Sequence, residues 1–518
     1  MHPRIAVLVV VALFAAPFAS AKLLRYASQI DPGTMDPHAL SSLYNNRVLS
    51  QIYEPLIERD ASWKVSPRLA LSWSALDGGK GWRFKLRPGV KFHDGSPFGA
   101  DDVVFTVKRA LDPKSQYRTS LPNVTDARKV DELTVDLFTS QPTPVLPLQL
   151  INLRIMSKAW CEKHKVERPQ DYNGKEETYA TRNANGTGAF KLVRWETDVK
   201  TVLVAFDGYW GPRGNVTEAQ YLVVGSAATR VAGLISGEID LVIDPAVQDV
   251  IRLRSQPGIV IGEAVGTGTN FLGFNHSRAQ IGNGTRGNPF KDARVRQAVR
   301  AAIDVEAIKS KVMRDTATVG SALYTPVIDF FDPRFAAPNA YDVAKAKALL
   351  KEAGYANGFS VELDCSAQQP ADSICQAVAG MLSRIDIKVI YRPLPFNSLL
   401  PKLLAGDTNM YMIGWTPAST EQEGVLVPLA HTRTKPGVGE YNFGGYSNTK
   451  VDEAIDKGRL EFDSSKRAAI FTEAMLAIDA DAGFIPLIYR KNTWAMRKNV
   501  KAVMRPNDVL DLRLVNID

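Results

Sequence analysis

Residues 82–111 read WRFKLRPGVKFHDGSPFGADDVVFTVKRAL. Trp82, Phe84 and Leu86 alternate with Arg83, Lys85 and Arg87, so one face of a strand is apolar and the other charged. Pro88-Gly89 and Asp94-Gly95 are turn signals. Asp101 or Asp102 is placed to cap a helix carrying Val104, Phe105, Lys108 and Arg109. The stretch is therefore strand, turn and helix in quick succession.

The same alternation of periods runs outward through the chain. Residues 221–224 predict a strand, 229–236 a helix stopped by Gly237, and 240–243 the next strand. A second unit is clearer. Phe359, Val361 and Leu363 alternate, Ile374, Val378, Met381 and Leu382 recur at helical spacing, and residues 387–391 return as a strand. Strand-helix-strand units favour parallel sheets, hence an α/β fold. Residues 292–303 predict a helix with Val295, Ala298, Val299, Ala302 and Ile303 in one stripe. Residues 342–353 predict another, with Asp342 as N-cap and Gly354 as its stop. Core packing accounts for these stripes.

The first 21 residues read as an export signal. Arg4 is followed by an unbroken apolar run over residues 5–14, and Ala19-Ser20-Ala21 is a small-residue cleavage site before Lys22. Ten apolar residues fall short of the ~20 a membrane span needs. Without a cysteine at that site, the expected product is a soluble periplasmic protein cleaved after Ala21. Residues 22–518 suffice for more than one core. Hydrophobic content of 45% and charged content of 23% suit a globular protein. The net charge of +8 is modest for this length and no basic run suggests nucleic acid. Three cysteines remain after export, Cys161, Cys365 and Cys375. Cys365 and Cys375, ten positions apart across a strand-to-helix turn, are the natural disulfide pair in an oxidising compartment; two free buried thiols are the alternative.

As a string, LRPGVKFHDGSPF (86–98) with ADDVVF (100–105) closely resembles a signature of the family 5 extracellular solute-binding proteins, receptors of bacterial ABC importers. Further blocks follow in the family's order: MDPHA (35–39), YEPLI (53–57), LALSW (69–73), NGTGAFKLVRW (185–195), SGEIDLV (236–242), RVRQAVRAAID (294–304), AKALLKEAGY (346–355) and Gly414-Trp415. The middle block has Ala189-Phe190 where the family usually has Pro-Tyr. The resemblance implies a periplasmic binding protein type II-like fold, two lobes closing over a cleft, with an extra subdomain on the first lobe. By that analogy residues 22–55, 180–268 and 480–518 form the first lobe, 56–179 the subdomain and 269–479 the second lobe. It further implies a monomer that binds a peptide or peptide-like solute, without a cofactor, and delivers it to an inner-membrane permease. A receptor for a nickel chelate, sugar or opine is the runner-up, and a secreted hydrolase the competing class.

No G-x-S-x-G elbow, H-E-x-x-H helix or phosphate loop occurs, and the histidines show no metal-ligand spacing. His93-Asp94 lies in the signature turn and reads as structural. Gly266-Thr267-Gly268 reads as a flexible interlobe crossing. The leading binding candidate is NMYMIGWTP (409–417), a strand with Gly414, Trp415, Thr416 and Pro417 at its carboxyl end, where α/β sheets place ligands. The Trp415 indole offers a flat wall and one donor. The family commonly has an Asp after Gly-Trp-Thr that grips a peptide's α-amino group; here Pro417 and Ala418 stand instead, leaving Glu421 or Glu423 as substitutes. Leu43 and Tyr44 follow the MDPHA block, where the resemblance implies ligand contacts. Thr269 and Asn270 lie at the implied lobe crossing, and Asn185 and Thr187 offer polar groups in a Gly-rich turn.

Overall fold

The computed structural model describes residues 22–281, 287–417, 421–434 and 438–518. The expected export signal, and Ala418, lie outside the described residues. Two long antiparallel strands, Ile259–Phe274 and Phe484–Arg497, form the spine of an eleven-stranded sheet. At one end the spine continues through Leu241–Ile243, Leu23–Ser28 and Glu218–Val223. At the other it continues through Met410–Trp415, Phe359–Ser366 and Ile387–Leu394. The predicted strand-helix-strand units lie on either side of it. Phe359–Ser366 and Ile387–Leu394 are parallel, with helix Ala371–Leu382 between them in sequence. Cys365 and Cys375 are joined as a disulfide between that strand and helix, Cα to Cα 6.6 Å. Cys161 is a free, buried thiol pushed up to about 12 by burial.

Buried side chains gather on the two sides of the spine, giving two lobes. Leu24, Tyr26, Phe190 and Trp494 belong to the first; Val299, Val361, Leu363 and Met410 belong to the second. Phe271, Tyr411 and Phe471 extend the second core. The subdomain has its own core, built on a four-stranded antiparallel sheet that includes the signature strand Gly81–Leu86. Phe84 and Leu86 of that strand meet Val103 and Val107 of helix Ala100–Ala110. Trp160 and Cys161, by contrast, are buried in the first-lobe core.

The signature helix differs from its sequence expectation at its start. Gly99 is the N-cap, and Asp102, three residues on, accepts the Gly99 N–H at 2.9 Å. The carboxylate also takes the Lys158 N–H at 2.8 Å, and burial pushes it up to about 6. Ala100, Val103, Val107 and Ala110 are its fully buried apolar residues, while Val104 is partly buried against the same core and Phe105 against the first-lobe core. Arg109 is buried as well, because its guanidinium forks onto Asp36 of the MDPHA block at 2.6 and 2.8 Å.

The crossing between lobes is strand rather than loop. Along the spine, Val265 pairs with Lys491 and Thr269 with Tyr489, so residues 266–268 stand opposite Arg490 alone. A β-carbon on Gly268 would lie 2.2 Å from the Arg490 guanidinium, so a larger residue there would displace that side chain. The bulge leaves Arg490 without a partner on the Ile259–Phe274 strand, though it pairs with Ala317 on its other side, and its side chain is exposed at the cleft.

Candidate functional site

Between the lobes lies a cavity of about 630 Å³. Leu43 and Asp244 line it from the first lobe, Arg59 and Trp63 from the subdomain, Gly268 and Arg490 from the spine, Thr416 and Pro417 from the second lobe. Of the residues singled out in sequence, Leu43, Thr416 and Pro417 are thus brought together. The Arg490 guanidinium donates to Thr416 Oγ1 across the cavity.

The other candidates stand away from this lining. Tyr44 accepts from Gln29 at 2.8 Å, and the Arg47 guanidinium lies over its ring. Asn185 and Thr187 are consumed in holding the signature turn against the first lobe. The Asn185 amide donates to Asp94 Oδ2 at 2.9 Å, and Thr187 Oγ1 donates to Glu54 at 2.8 Å. His93 donates from Nε2 to the Gly188 carbonyl in the same clamp. Thr269, on the spine itself, is buried, and the Asn270 amide points at Met412 Sδ, 3.7 Å away. Gly414 is opposite Asn270 in the ladder and Trp415 opposite Thr269. The Trp415 indole N–H, expected to be free for a ligand, donates to the Gly424 carbonyl at 3.0 Å. Its ring packs on Tyr441, centroids 5.0 Å apart, so it props up the Thr416-Pro417 corner.

Neither proposed substitute for the missing Asp lines the cavity. Glu421 is forked onto Arg467 at 2.6 and 2.9 Å in a buried ion pair. Glu423 lies 3.5 Å from Arg459, and burial pushes it up to about 7. The acids that do face the cavity are Asp244 and Asp508. Both receive hydrogen bonds from one nitrogen, Arg47 Nη2, at 2.7 and 2.6 Å. Arg47 is fixed from behind by Ser28 Oγ at 2.8 Å. Burial first, then the charge of Asp244, pushes Asp508 up to about 7. Asp244 and Asp508 both have positive φ, 55° and 63°, a conformation Asp tolerates better than most side chains. Asp244 had a sequence signal, since it directly follows strand Leu241–Ile243 at its carboxyl end. Asp508 and Arg490 had none, because long-range pairing alone brings them here.

Two contacts join the subdomain to the second lobe beside the cleft. The Arg59 guanidinium forks onto Asp329 at 2.6 and 2.8 Å, and Trp82 lies against Phe462 with centroids 6.0 Å apart.

The dipeptide-binding protein of Escherichia coli (strain K12) is 26% identical over 520 residues, covering 95% of this chain and 94% of that protein. Heme-binding protein A of Haemophilus influenzae is 26% identical over 488 residues, covering 89% of this chain and 85% of that protein. Among solved structures, HbpA2 from Haemophilus parasuis superposes with a TM-score of 0.84 at 23% identity, over 96% of this chain and 100% of that one. The family model of the bacterial extracellular solute-binding proteins, family 5, matches residues 64–437. With that model covering well over half of its length, the chain belongs to the bacterial extracellular solute-binding proteins, family 5.

Proposed function

We propose that the chain captures peptides or peptide-like solutes in the interlobe cleft and passes them unaltered to the permease of an ABC importer. The observation that carries this reading is the cavity itself. Its volume of about 630 Å³ falls within the range of small-ligand sites, ~300–1,000 Å³, and its walls come from both lobes and the spine. Asp244 and Asp508 supply the acid that the Pro417 corner lacks, so an α-ammonium would be held from the first lobe. A solute touching both lobes favours the closed arrangement by its differential affinity for it. Similarity to a dipeptide-binding protein supports the same ligand class. The export pattern of residues 4–21 supports a periplasmic site of action, with Lys22 as the mature N-terminus.

The test is calorimetry of the mature protein against di- and tripeptides, with mass spectrometry of the solute afterwards. Stoichiometric binding with peptide recovered intact is expected, weakened by N-acetylation and by Asp508→Asn. Conversion of any peptide by the pure protein would overturn the receptor reading. Binding of nickel chelates, sugars or opines with no peptide bound would reassign the solute.

A further inference from the structure

Among the described residues two aromatic side chains stand on left-handed backbone, Trp63 with φ of 63° and Phe330 with φ of 58°. Bulky residues rarely adopt that conformation, and it survives only where the surroundings impose it. Both flank one contact, the ion pair of Arg59 with Asp329 that joins the subdomain to the second lobe. The Trp63 carbonyl accepts from Arg59 Nη1 at 2.8 Å, and Phe330 directly follows Asp329 in the chain.

The two are imposed differently. Trp63 sits in the turn between the paired strands Ile57–Arg59 and Val65–Pro67. Its N–H donates to the Asp60 carbonyl at 3.0 Å, and the Asp60 N–H donates to the Lys64 carbonyl at 2.9 Å. Asp60 Oδ1 accepts from the N–H groups of Ser62 and Lys64 at 2.8 and 2.9 Å. Those bonds lie within one hairpin, so they hold Trp63 whichever way the lobes stand.

Phe330 is held from two bodies. On its amino side, Asp329 is drawn to the subdomain by both terminal nitrogens of Arg59, at 2.8 and 2.6 Å. On its carboxyl side, its own carbonyl accepts from Gln422 at 3.4 Å, and Phe331 packs edge-on against Tyr324 and Phe335 of the second-lobe core. Ile328 is buried in that same core. Residues 329 and 330 are therefore a short span that reaches out to Arg59 from two fixed ends. Phe330 itself is 50% exposed and stands outside the cavity lining, so burial of its ring does not account for the backbone it adopts.

We infer that Phe330 is a spring set by lobe closure. Reaching Arg59 forces its backbone into the left-handed region, and release of Asp329 on opening lets φ return to negative values. The strain opposes the ion pair, so the empty protein reopens and a bound solute supplies the difference. The inference rests on closure of the cleft and not on the identity of the solute.

The test compares Phe330→Ala with Phe330→Gly. Both remove the ring, but only glycine removes the cost of a positive φ. Small-angle scattering of the unliganded variants reads the lobe arrangement, and calorimetry against di- and tripeptides reads affinity. Phe330→Gly should be the more compact of the two and should bind peptide about 5- to 30-fold more tightly than Phe330→Ala. On an Asp329→Ala background, where nothing draws the span to Arg59, the advantage of glycine should fall below about twofold. Equal radii of gyration for the two variants overturn the inference, whether or not a peptide binds. Equal affinity for a peptide that does bind overturns it as well. An advantage of glycine that survives Asp329→Ala also overturns it, because Arg59 would not then set the strain. If no peptide binds while the radii differ as expected, the peptide reading fails and the spring stands.

Discussion

The ion pair between Arg59 and Asp329 spans two separately packed bodies. Arg59 ends strand Ile57–Arg59, whose Ile57 is buried in the subdomain core, while Asp329 follows Ile328, buried in the second-lobe core. The Arg59 side chain is 1% exposed and also donates to the Trp63 carbonyl at 2.8 Å. Asp329→Asn keeps the shape and removes the charge. Deleting one partner of a fully buried pair costs ~3–5 kcal/mol. Asp329 is 27% exposed, so water screens part of the loss and about 1–3 kcal/mol is expected. Because the pair exists only when the subdomain meets the second lobe, that free energy appears in the balance between lobe arrangements. The variant should be more open, and peptide affinity should fall by roughly 5- to 150-fold. Small-angle scattering of the unliganded protein reads the first effect and calorimetry the second. Arg59→Met combined with Asp329→Leu should recover part of the loss, since it leaves no lone charge. An unchanged radius of gyration and affinity within twofold of wild type, beside a lowered melting temperature, would refute the reasoning: the pair would then only stabilise the fold.

Asp508 sets a pH dependence. Its folded value, about 7, lies above the ordinary carboxylate value, so its protonated form favours the fold and stability is lost as pH rises from about 4 to 7. Asp508→Asn should flatten thermal stability across that window, and a parallel pH profile would count against it. Opening the link between Cys365 and Cys375 with a Cys365→Ala/Cys375→Ala double variant should cost ~2–3 kcal/mol in chemical denaturation. Non-reducing peptide mapping should find those two peptides joined, and two free thiols would contradict this. Trp415→Ala should lower stability by about 2 kcal/mol, as expected for a half-buried indole that packs on Tyr441 and binds Gly424. Its affinity loss should be under tenfold, through the Thr416-Pro417 corner; a hundredfold loss with unchanged melting temperature would place the indole on the ligand.

Local periodicity made the helices and strands legible where one face is apolar. Asp342 caps its helix as read, and Gly354 follows that helix with φ of 86°. The α/β units around residues 221–243 and 359–394 were legible for the same reason. Asp102 was misread as a possible N-cap because a carboxylate at the third position can satisfy the first N–H from inside the helix. The cleft was less legible. Thr416, Pro417 and Leu43 lie near recognisable blocks, but Asp508 and Arg490 reach the cavity through strands paired over hundreds of residues. Asn185, Thr187 and Glu421 carry the chemistry of ligand contacts, and only their partners show that it is already spent on Asp94, Glu54 and Arg467. A polar side chain's type is visible in sequence; whether its bonds are free is not.

The pairing of Leu241–Ile243 with residues 494–496 has a bearing on how this chain is made. The second-lobe core draws on the start of that last strand, through Phe484, Ile485, Leu487 and Ile488. The first lobe needs the segment through to its end. Its sheet keeps an open edge beside Leu241–Ile243 until the last forty residues arrive, and its core waits for Trp494, Leu512 and Val515. Contacts of such sequence separation form slowly and leave an edge open to wrong partners meanwhile. The carboxyl terminus is thus the keystone of assembly: a chain that lost it would keep every signature motif and still lack a finished half.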